Sequence, residues 1–206
     1  DGKKLDAARH TLSFIEVFEL MLASKIIKQE LATELAPQIP FDETLAKKFV
    51  SHLPFALTDA QRKAAWAILQ DMTKTTPANR LVEGDVGSGK TVVAALAAVV
   101  AMQAGYQVAL LAPTELLARQ HAESLLELLR PLKFDKSVGL LVGSLKPAQK
   151  KLAHNNLANG KIRLAVGTHA LLQGLPLENL GLVIVDEQHR FGVEQRKELL
   201  KQTGLV

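Results

Sequence analysis

The apolar positions of the first 52 residues predict a helical segment. A helix-forming run covers about positions 7–35, and its apolar stripe at three- and four-residue spacing consists of Ile15, Phe18, Leu22 and Ile26. Such a stripe is expected to pack against another surface. Prolines at positions 37 and 40 end this helix, because proline lacks an amide hydrogen, and a short helix near Glu43–His52 follows. We therefore expect residues 1–52 to form a helical connector.

After Pro54 the pattern changes to apolar runs that alternate with helical stretches, which is typical of a parallel sheet covered by helices on both faces. This predicts a three-layer α/β domain over residues 53–206. The strands are expected near Arg80–Glu83, Gln107–Ala112, Ser137–Val142, Ile162–Val166 and Leu182–Val185. The helices are expected near Asp59–Thr73, Lys90–Ala104, Glu115–Leu129, Pro147–Ala158 and Val193–Lys201.

Composition restricts the class of protein. With 48% hydrophobic and 22% charged residues in 206, the chain is expected to fold into a globular core. Its longest apolar stretch, Val92–Met102, is too short to cross a bilayer, and the lack of cysteine agrees with a reducing compartment, so we expect a cytoplasmic protein. The net charge of +4 only weakly indicates a polyanionic partner. The start at Asp1 and the abrupt end at Val206 suggest part of a longer protein.

The segment Gly84–Thr91 carries the strongest chemical signal. Its order Gly84, Asp85, Val86, Gly87, Ser88, Gly89, Lys90, Thr91 fits the phosphate-loop pattern G-x-x-x-x-G-K-[ST], between a predicted strand and a predicted helix. Glycines let backbone amides converge on phosphates, and the helix N-terminus adds positive potential. We expect Lys90 to reach the β- and γ-phosphates of ATP and the Thr91 hydroxyl to coordinate Mg²⁺.

Two carboxylates follow the last predicted strand. Asp186 and Glu187 come directly after an apolar run, at the sheet edge where open α/β folds bind ligands. An Asp-Glu pair in this place is often only a solvated loop, but the upstream phosphate loop favours catalysis. We expect Asp186 to hold Mg²⁺ and Glu187 to polarise the attacking water.

Several segments together resemble superfamily 2 helicases of the DExH type, and the RecG branched-DNA helicases in particular. Beside the phosphate loop, they are Leu53-Pro54-Phe55, Ala112–Ala118, Gly143–Lys146, Gly167–Gln173 and Asp186–Arg196. The DNA translocase Mfd shares the phosphate loop and a similar DExH string, whereas the Gly143–Lys146 stretch and the Gln195-Arg196 ending look more like RecG.

The resemblance implies a RecA-like lobe that uses ATP and Mg²⁺ to act on branched DNA such as forks and Holliday junctions. The wedge domain and the second motor lobe with its arginine fingers, which a whole RecG has, are absent from this sequence. By its place in the family motif, His189 is implied to couple ATP hydrolysis to DNA. The amino-terminal helix resembles the connector between wedge and motor.

Gln61 and Phe55, which both lie upstream of the phosphate loop, have competing interpretations. By resemblance to the helicase Q motif, Gln61 would bind the adenine edge, but Thr58-Asp59-Ala60-Gln61 equally fits a helix capping box. Phe55 is a candidate to stack near the base, and a hydrophobic staple or core packing explains it as well.

A set of polar residues follows three other predicted strands at the same sheet edge, namely Thr114, Glu115, Ser144, Lys146, Thr168 and His169. Hydroxyls, amides and a lysine suit phosphate oxygens of DNA, although helix capping by Thr114 and Thr168 is an equally ordinary use. With the helicase resemblance, we expect the set to contact DNA.

The sequence therefore predicts the ATP-binding lobe of a DNA helicase that remodels branched DNA in recombination and repair. One alternative is the lobe of a Mfd- or PriA-like translocase. The other is a nucleotide- and DNA-binding module without significant turnover.

Overall fold

The computed structural model describes positions 35–85, 87–168 and 177–187, together with positions 11, 14, 15, 17–19, 21 and 22. Val86, His169, His189 and the predicted helix Val193–Lys201 lie outside these described residues. Among the described residues, no helix is long and apolar enough to cross a membrane.

In the part of the chain that the structure describes, four parallel strands form the sheet, as the alternating pattern predicts. They are β1 (Gln107–Leu111), β2 (Val138–Leu141), β3 (Leu164–Gly167) and β4 (Leu180–Val185), in the order β2-β3-β1-β4. Leu141 pairs with Gly167, Gly167 with Leu111, and Leu111 with Val185. The carboxyl ends of all four strands are therefore level along one edge, hereafter the carboxyl edge.

The helices whose bounds the structure describes flank the sheet, and these bounds agree with the expected ones to within a residue. They are α1 (Glu43–Ser51), α2 (Asp59–Met72), α3 (Lys90–Gln103), α4 (Glu115–Leu129) and α5 (Pro147–Ala158). Two short 3₁₀ turns, Arg130–Leu132 and Asp135–Ser137, connect α4 to β2.

Alternate residues of β1 enter two separate apolar clusters, which accounts for the layered fold. Val108 and Leu110 pack with buried residues of α3 and α4, while Ala109 and Leu111 pack with Leu157 of α5. Because successive strand residues point to opposite faces, one strand serves both clusters. The three-layer α/β architecture is confirmed.

The helix starts follow from local capping chemistry. Asp42 accepts a hydrogen bond from the Leu45 amide ahead of α1, and Thr114 accepts one from the Leu117 amide ahead of α4. Such side chains satisfy amides that have no partner within the helix. Pro147 opens α5, where its missing N–H costs nothing.

Residues before the predicted boundary at 52/53 share the main core. Ile39 and Phe49 are almost fully buried in the cluster that contains α2 and α3. The Ile39 amide donates to the Met72 carbonyl at 2.8 Å, and the Phe41 ring meets the Trp66 ring edge-on. The segment from Ile39 to α1 therefore packs as part of the lobe, and the boundary itself stays a prediction.

The apolar stripe near the amino terminus is exposed where the structure describes it. Positions 14, 15, 17, 18, 21 and 22 are helical, and Ile15, Phe18 and Leu22 are each roughly half exposed. Phe14 and Phe18 stack on each other. Among the described residues, the expected burial of this stripe does not occur.

The predicted strand Arg80–Glu83 is wrong. Positions 80–85 have no regular secondary structure, and Leu81 is 67% exposed. A strand, unlike a helix, requires hydrogen bonds to a neighbouring strand. In the described part of the chain this segment has no such neighbour, and β4 is the edge strand of the sheet. Arg80 is held instead by Asp71 at the end of α2.

Candidate functional site

The phosphate loop has the backbone shape that its glycines allow. Gly87 and Gly89 have φ angles of 82° and 80°, and Gly89 is the residue before α3. A side chain at Gly84 would bring its Cβ to 2.6 Å from the Ser88 Oγ. At Gly89 the added atom would collide with the Gln61 amide nitrogen, and the positive φ of this residue favours glycine in any case.

Lys90 points back into this loop. Its Nζ donates to the carbonyl oxygens of Gly84 at 2.6 Å and Asp85 at 2.9 Å. The ammonium is thus held beside the loop backbone and at the N-terminus of α3, the end of a helix that attracts anions. The loop and its lysine suit a polyphosphate such as that of ATP.

Gln61 forms the capping box of α2, one of its two sequence interpretations. Its Oε1 accepts from the Thr58 amide at 2.8 Å, and the Thr58 Oγ1 accepts from the Gln61 amide at 3.2 Å. The same side chain also reaches the phosphate loop, because its Nε2 donates to the Ser88 carbonyl at 2.8 Å. Contact with adenine stays a prediction.

Asp186 and Glu187 leave β4 at the carboxyl edge. The Asp186 amide donates to the Leu111 carbonyl at 2.9 Å, which continues the pairing of β4 with β1 by one residue. Glu187 has a φ of 48°, in the left-handed region that residues other than glycine seldom adopt. Backbone strain of this kind is concentrated at functional sites, so the φ angle of Glu187 favours a functional role for this residue.

His121 contacts the candidate site, and the sequence interpretation missed it. Its Nε2 lies 2.6 Å from the Asp186 Oδ2, and the two side chains are only 18% and 28% exposed. The available signal was spacing: His121 falls on the inward face of α4, three residues after Ala118 and four before Leu125, both fully buried. A polar residue in a buried stripe needs a partner, but the sequence alone did not identify Asp186.

The proposed metal ligands are chemically suited to Mg²⁺. Thr91 offers a hydroxyl and Asp186 a carboxylate, both hard oxygen donors. The described residues contain no group of three or more His, Cys, Asp or Glu side chains able to bind a metal. Mg²⁺ in nucleotide sites is bound by one or two carboxylates together with substrate phosphates and water.

Apart from His169, which lies outside the described residues, the residues proposed for DNA contact follow strands at the carboxyl edge, and several bind one another. Glu115 accepts hydrogen bonds from the Ser144 amide at 3.1 Å and the Ser144 hydroxyl at 2.6 Å, and Arg119 donates to the same hydroxyl at 3.0 Å. The hydroxyl bond from Ser144 is the main reason that the pKa of Glu115 is lowered. This cluster joins the loop after β1 to the loop after β2.

Thr114 caps α4, while Lys146 is exposed ahead of α5, where its amide donates to Gln149 Oε1 at 3.1 Å. Thr168 directly follows β3. The strand order therefore places Lys146 and Thr168 toward the β2 end of the carboxyl edge and Asp186 at the β4 end. Their role in DNA contact stays a prediction.

A shallow cavity of about 370 Å³ lies away from this site. It is lined by the segment Pro40–Glu43, by Val100 and Gln103 of α3, and by Ala104, which directly follows that helix. The phosphate loop is at the opposite end of α3, a helix of 14 residues and so about 20 Å long.

The Phe55 side chain is 47% exposed, so Phe55 does not pack in the core.

Comparison with known proteins identifies close relatives of this arrangement. The profile of the DEAD/DEAH box helicase family matches residues 58–204. The ATP-dependent DNA helicase RecG of Aquifex aeolicus (strain VF5) is 48% identical over 188 residues, or 91% of this chain and 24% of its own length. RecG of Thermotoga maritima is 44% identical over 203 residues, or 98% of this chain and 26% of its own length.

Solved structures give the same picture. One described as RecG bound to a three-way DNA junction matches with a TM-score of 0.81 and 44% identity, covering 91% of this chain and 26% of that one. A hypothetical ATP-dependent RNA helicase from Sulfolobus tokodaii, with a TM-score of 0.59 and 23% identity, supports the RecA-like fold alone. The chain spans about a quarter of the length of the curated relatives it matches.

Proposed function

The chain belongs to the DEAD/DEAH box helicase family, and from that premise we propose that it is the first ATP-binding motor lobe of a RecG-type DNA helicase. In this proposal the whole protein couples ATP hydrolysis to the remodelling of branched DNA, such as forks and Holliday junctions, in recombination and repair. It acts in the cytoplasm with a wedge domain and a second motor lobe.

One observation carries the proposal. Over 91% of its length the chain superposes, at 44% identity, on a RecG described as bound to a three-way DNA junction. At such identity the phosphate loop and the residues of the carboxyl edge are expected to serve the same chemistry.

The residues of the nucleotide site have distinct roles in this proposal. Lys90 and the amides of the loop bind the β- and γ-phosphates, since a cation and converging N–H groups match phosphate oxygens. Thr91 and Asp186 hold Mg²⁺, which would neutralise negative charge on the phosphates. Glu187 orients and deprotonates the attacking water. His189 links this site to DNA, and Gln61 and Phe55 lie toward the base.

The carboxyl edge is proposed to hold the DNA backbone. Lys146 is an exposed cation there, and Thr114 and Thr168 add hydroxyls at the ends of the central strands. Contacts of this kind position a strand without reading its sequence. Glu115 and Ser144 hold two of the loops together, and His169 completes the set.

The alternatives differ in what they predict. A Mfd- or PriA-like translocase lobe would share the nucleotide site, but the relatives compared above carry the name RecG. A binding module without turnover would keep nucleotide affinity and lack DNA-stimulated hydrolysis.

The test is phosphate release by the longer protein without DNA, with linear duplex and with a forked duplex, beside strand separation of the fork. We expect the fork to stimulate hydrolysis most and to be unwound. Equal turnover under all three conditions, or stimulation by linear duplex alone, would contradict the RecG-type proposal.

A further inference from the structure

His121 and Asp186 meet although they are 65 positions apart in the sequence. One is in the second turn of α4 and the other directly follows β4. Their 2.6 Å separation is short for a nitrogen-to-oxygen hydrogen bond, and both side chains are largely shielded from water. A bond in this setting is stronger than one on the surface.

The chemistry of the pair determines which side chain donates the hydrogen bond. An ionised carboxylate only accepts hydrogen bonds, so the His121 Nε2 carries the hydrogen and donates it to Oδ2. Among the described residues, the other oxygen of Asp186, Oδ1, has no hydrogen-bond partner. Since the Asp186 amide is bound to Leu111, both the backbone and the side chain of this residue are held by the β1–α4 unit.

The support for His121 is itself rigid. Ala118 and Leu125, one turn before and one turn after it, are fully buried in the main core. An imidazole on such a face has little freedom to rotate, so it can hold its partner in one orientation.

We propose that His121 is a positioning residue for the metal site: it holds Oδ2 of Asp186 and so leaves Oδ1 oriented for the Mg²⁺ that accompanies ATP. The inference rests on the proposed function, because it assumes that Asp186 is a metal ligand. Ligating carboxylates are commonly oriented by a second hydrogen bond, and loss of such a partner weakens metal binding about 10- to 100-fold.

Three substitutions separate positioning from packing. His121→Gln keeps an N–H donor close to the position of the imidazole Nε2, whereas His121→Asn has the same amide on a shorter stem that does not reach Asp186. His121→Leu fills the space without a donor. His154→Asn is the matched control, because His154 is exposed on α5.

The measurement is metal binding in the longer protein, with Mn²⁺ as the paramagnetic probe in the presence of ADP. We expect about 10-fold weaker Mn²⁺ binding for His121→Asn and His121→Leu, and binding within a few-fold of wild type for His121→Gln. The affinity for a fluorescent ADP analogue, measured in EDTA so that no metal is bound, should be unchanged in all variants, because none of them alters the phosphate loop. His154→Asn should match wild type.

Wild-type Mn²⁺ affinity in both His121→Asn and His121→Leu would overturn the proposal, and so would a loss in His121→Gln as large as that in His121→Asn. If His121→Leu does not fold, the comparison of His121→Gln with His121→Asn decides. A wild-type protein that binds neither ADP nor Mn²⁺ with ADP would instead refute the proposed function, on which this inference depends.

Discussion

At the residue scale, Lys90 combines two tasks. It braces the phosphate loop through the carbonyl oxygens of Gly84 and Asp85, and it presents a positive charge beside the N-terminus of α3. In the proposed nucleotide complex, we expect a phosphate to replace those carbonyls as the partner of the ammonium. We therefore expect the side chain that braces the loop also to bind the phosphates.

Lys90→Ala is predicted to weaken nucleotide binding roughly 10- to 100-fold, since a hydrogen bond to a charged group is worth about 1.5–3 kcal/mol. Titration with a fluorescent ATP analogue measures this. Lys151→Ala, which removes an exposed lysine of α5, should bind as wild type. Unchanged affinity in Lys90→Ala would remove Lys90 from the phosphate site.

Glu187→Gln is predicted to behave differently, keeping Mg-ATP binding while hydrolysis falls about 10²- to 10⁴-fold, because an amide does not accept the proton of the water. Single-turnover hydrolysis and nucleotide titration of the longer protein separate the two effects. Normal turnover would show that Glu187 is not the base.

At the element scale, α2 is tied to the segment that leads into the phosphate loop. Asp71, near the end of α2 and 14% exposed, accepts hydrogen bonds from Lys74 at 2.7 Å and from the Arg80 Nε at 2.7 Å. Burial raises the pKa of Asp71, but the bonds and charges of Lys74 and Arg80 outweigh it, so that the pKa is lowered overall. At its other end, α2 reaches the loop through Gln61.

Asp71→Asn is predicted to lower the free energy of unfolding of the chain by about 1 kcal/mol near neutral pH. A carboxyl group whose pKa is lower when folded stabilises the fold above its unfolded pKa, and this stability is lost as pH falls through the folded value. The difference from wild type should therefore narrow below about pH 4, as urea unfolding at several pH values measures. Asp59→Asn, in an exposed pair with Arg62, should have little effect at any pH. A pH-independent difference would assign the loss to packing instead.

The carboxyl edge brings loops from several elements into one line. If Lys146 contacts a phosphate of DNA, Lys146→Ala should reduce the salt dependence of DNA binding by about one unit of slope, because one fewer counterion is released. Binding of the longer protein to a forked duplex at several salt concentrations measures the slope, with Lys151→Ala as the control. An identical slope would leave Lys146 as a solvated charge.

At the scale of the whole molecule, we expect the lobe to contact ATP from one side only. The structure describes bonds of three arginines near α2 and the carboxyl edge, and none of these bonds goes to the phosphate loop. Arg62 donates to the Leu57 carbonyl, Arg80 to Asp71, and Arg119 to Ser144. An arginine finger is worth about 10³–10⁵ in rate in phosphoryl transfer. In the family that the chain belongs to, we expect such a residue from the second lobe.

The chain alone is therefore predicted to bind nucleotide, to hydrolyse ATP at most slowly and to unwind no DNA. A single lobe has no second lobe against which to move, and no wedge to separate strands. Phosphate release and fork unwinding by the chain and by the longer protein, at equal concentration, test this. Robust DNA-stimulated turnover by the chain alone would show that the catalytic site is already complete.

Local sequence determined much of this protein. The helices begin at residues with capping chemistry, such as Thr58 and Thr114, and the strands β1 to β4 are apolar runs that any sheet would bury. The phosphate loop was recognisable because its glycines, lysine and threonine act within eight consecutive positions. Structural features that depend only on residues close together in the sequence can be predicted from that sequence.

Tertiary structure decided what depends on distant residues. Strand order placed Asp186 beside Leu111, and only the packing of α4 brought His121 to Asp186. It also left positions 80–85 outside the sheet, because a strand forms only where another strand supplies hydrogen bonds. It turned Glu115 and Ser144 toward each other. These contacts join segments far apart in sequence, and their free energy comes from packing and pairing that no local pattern records.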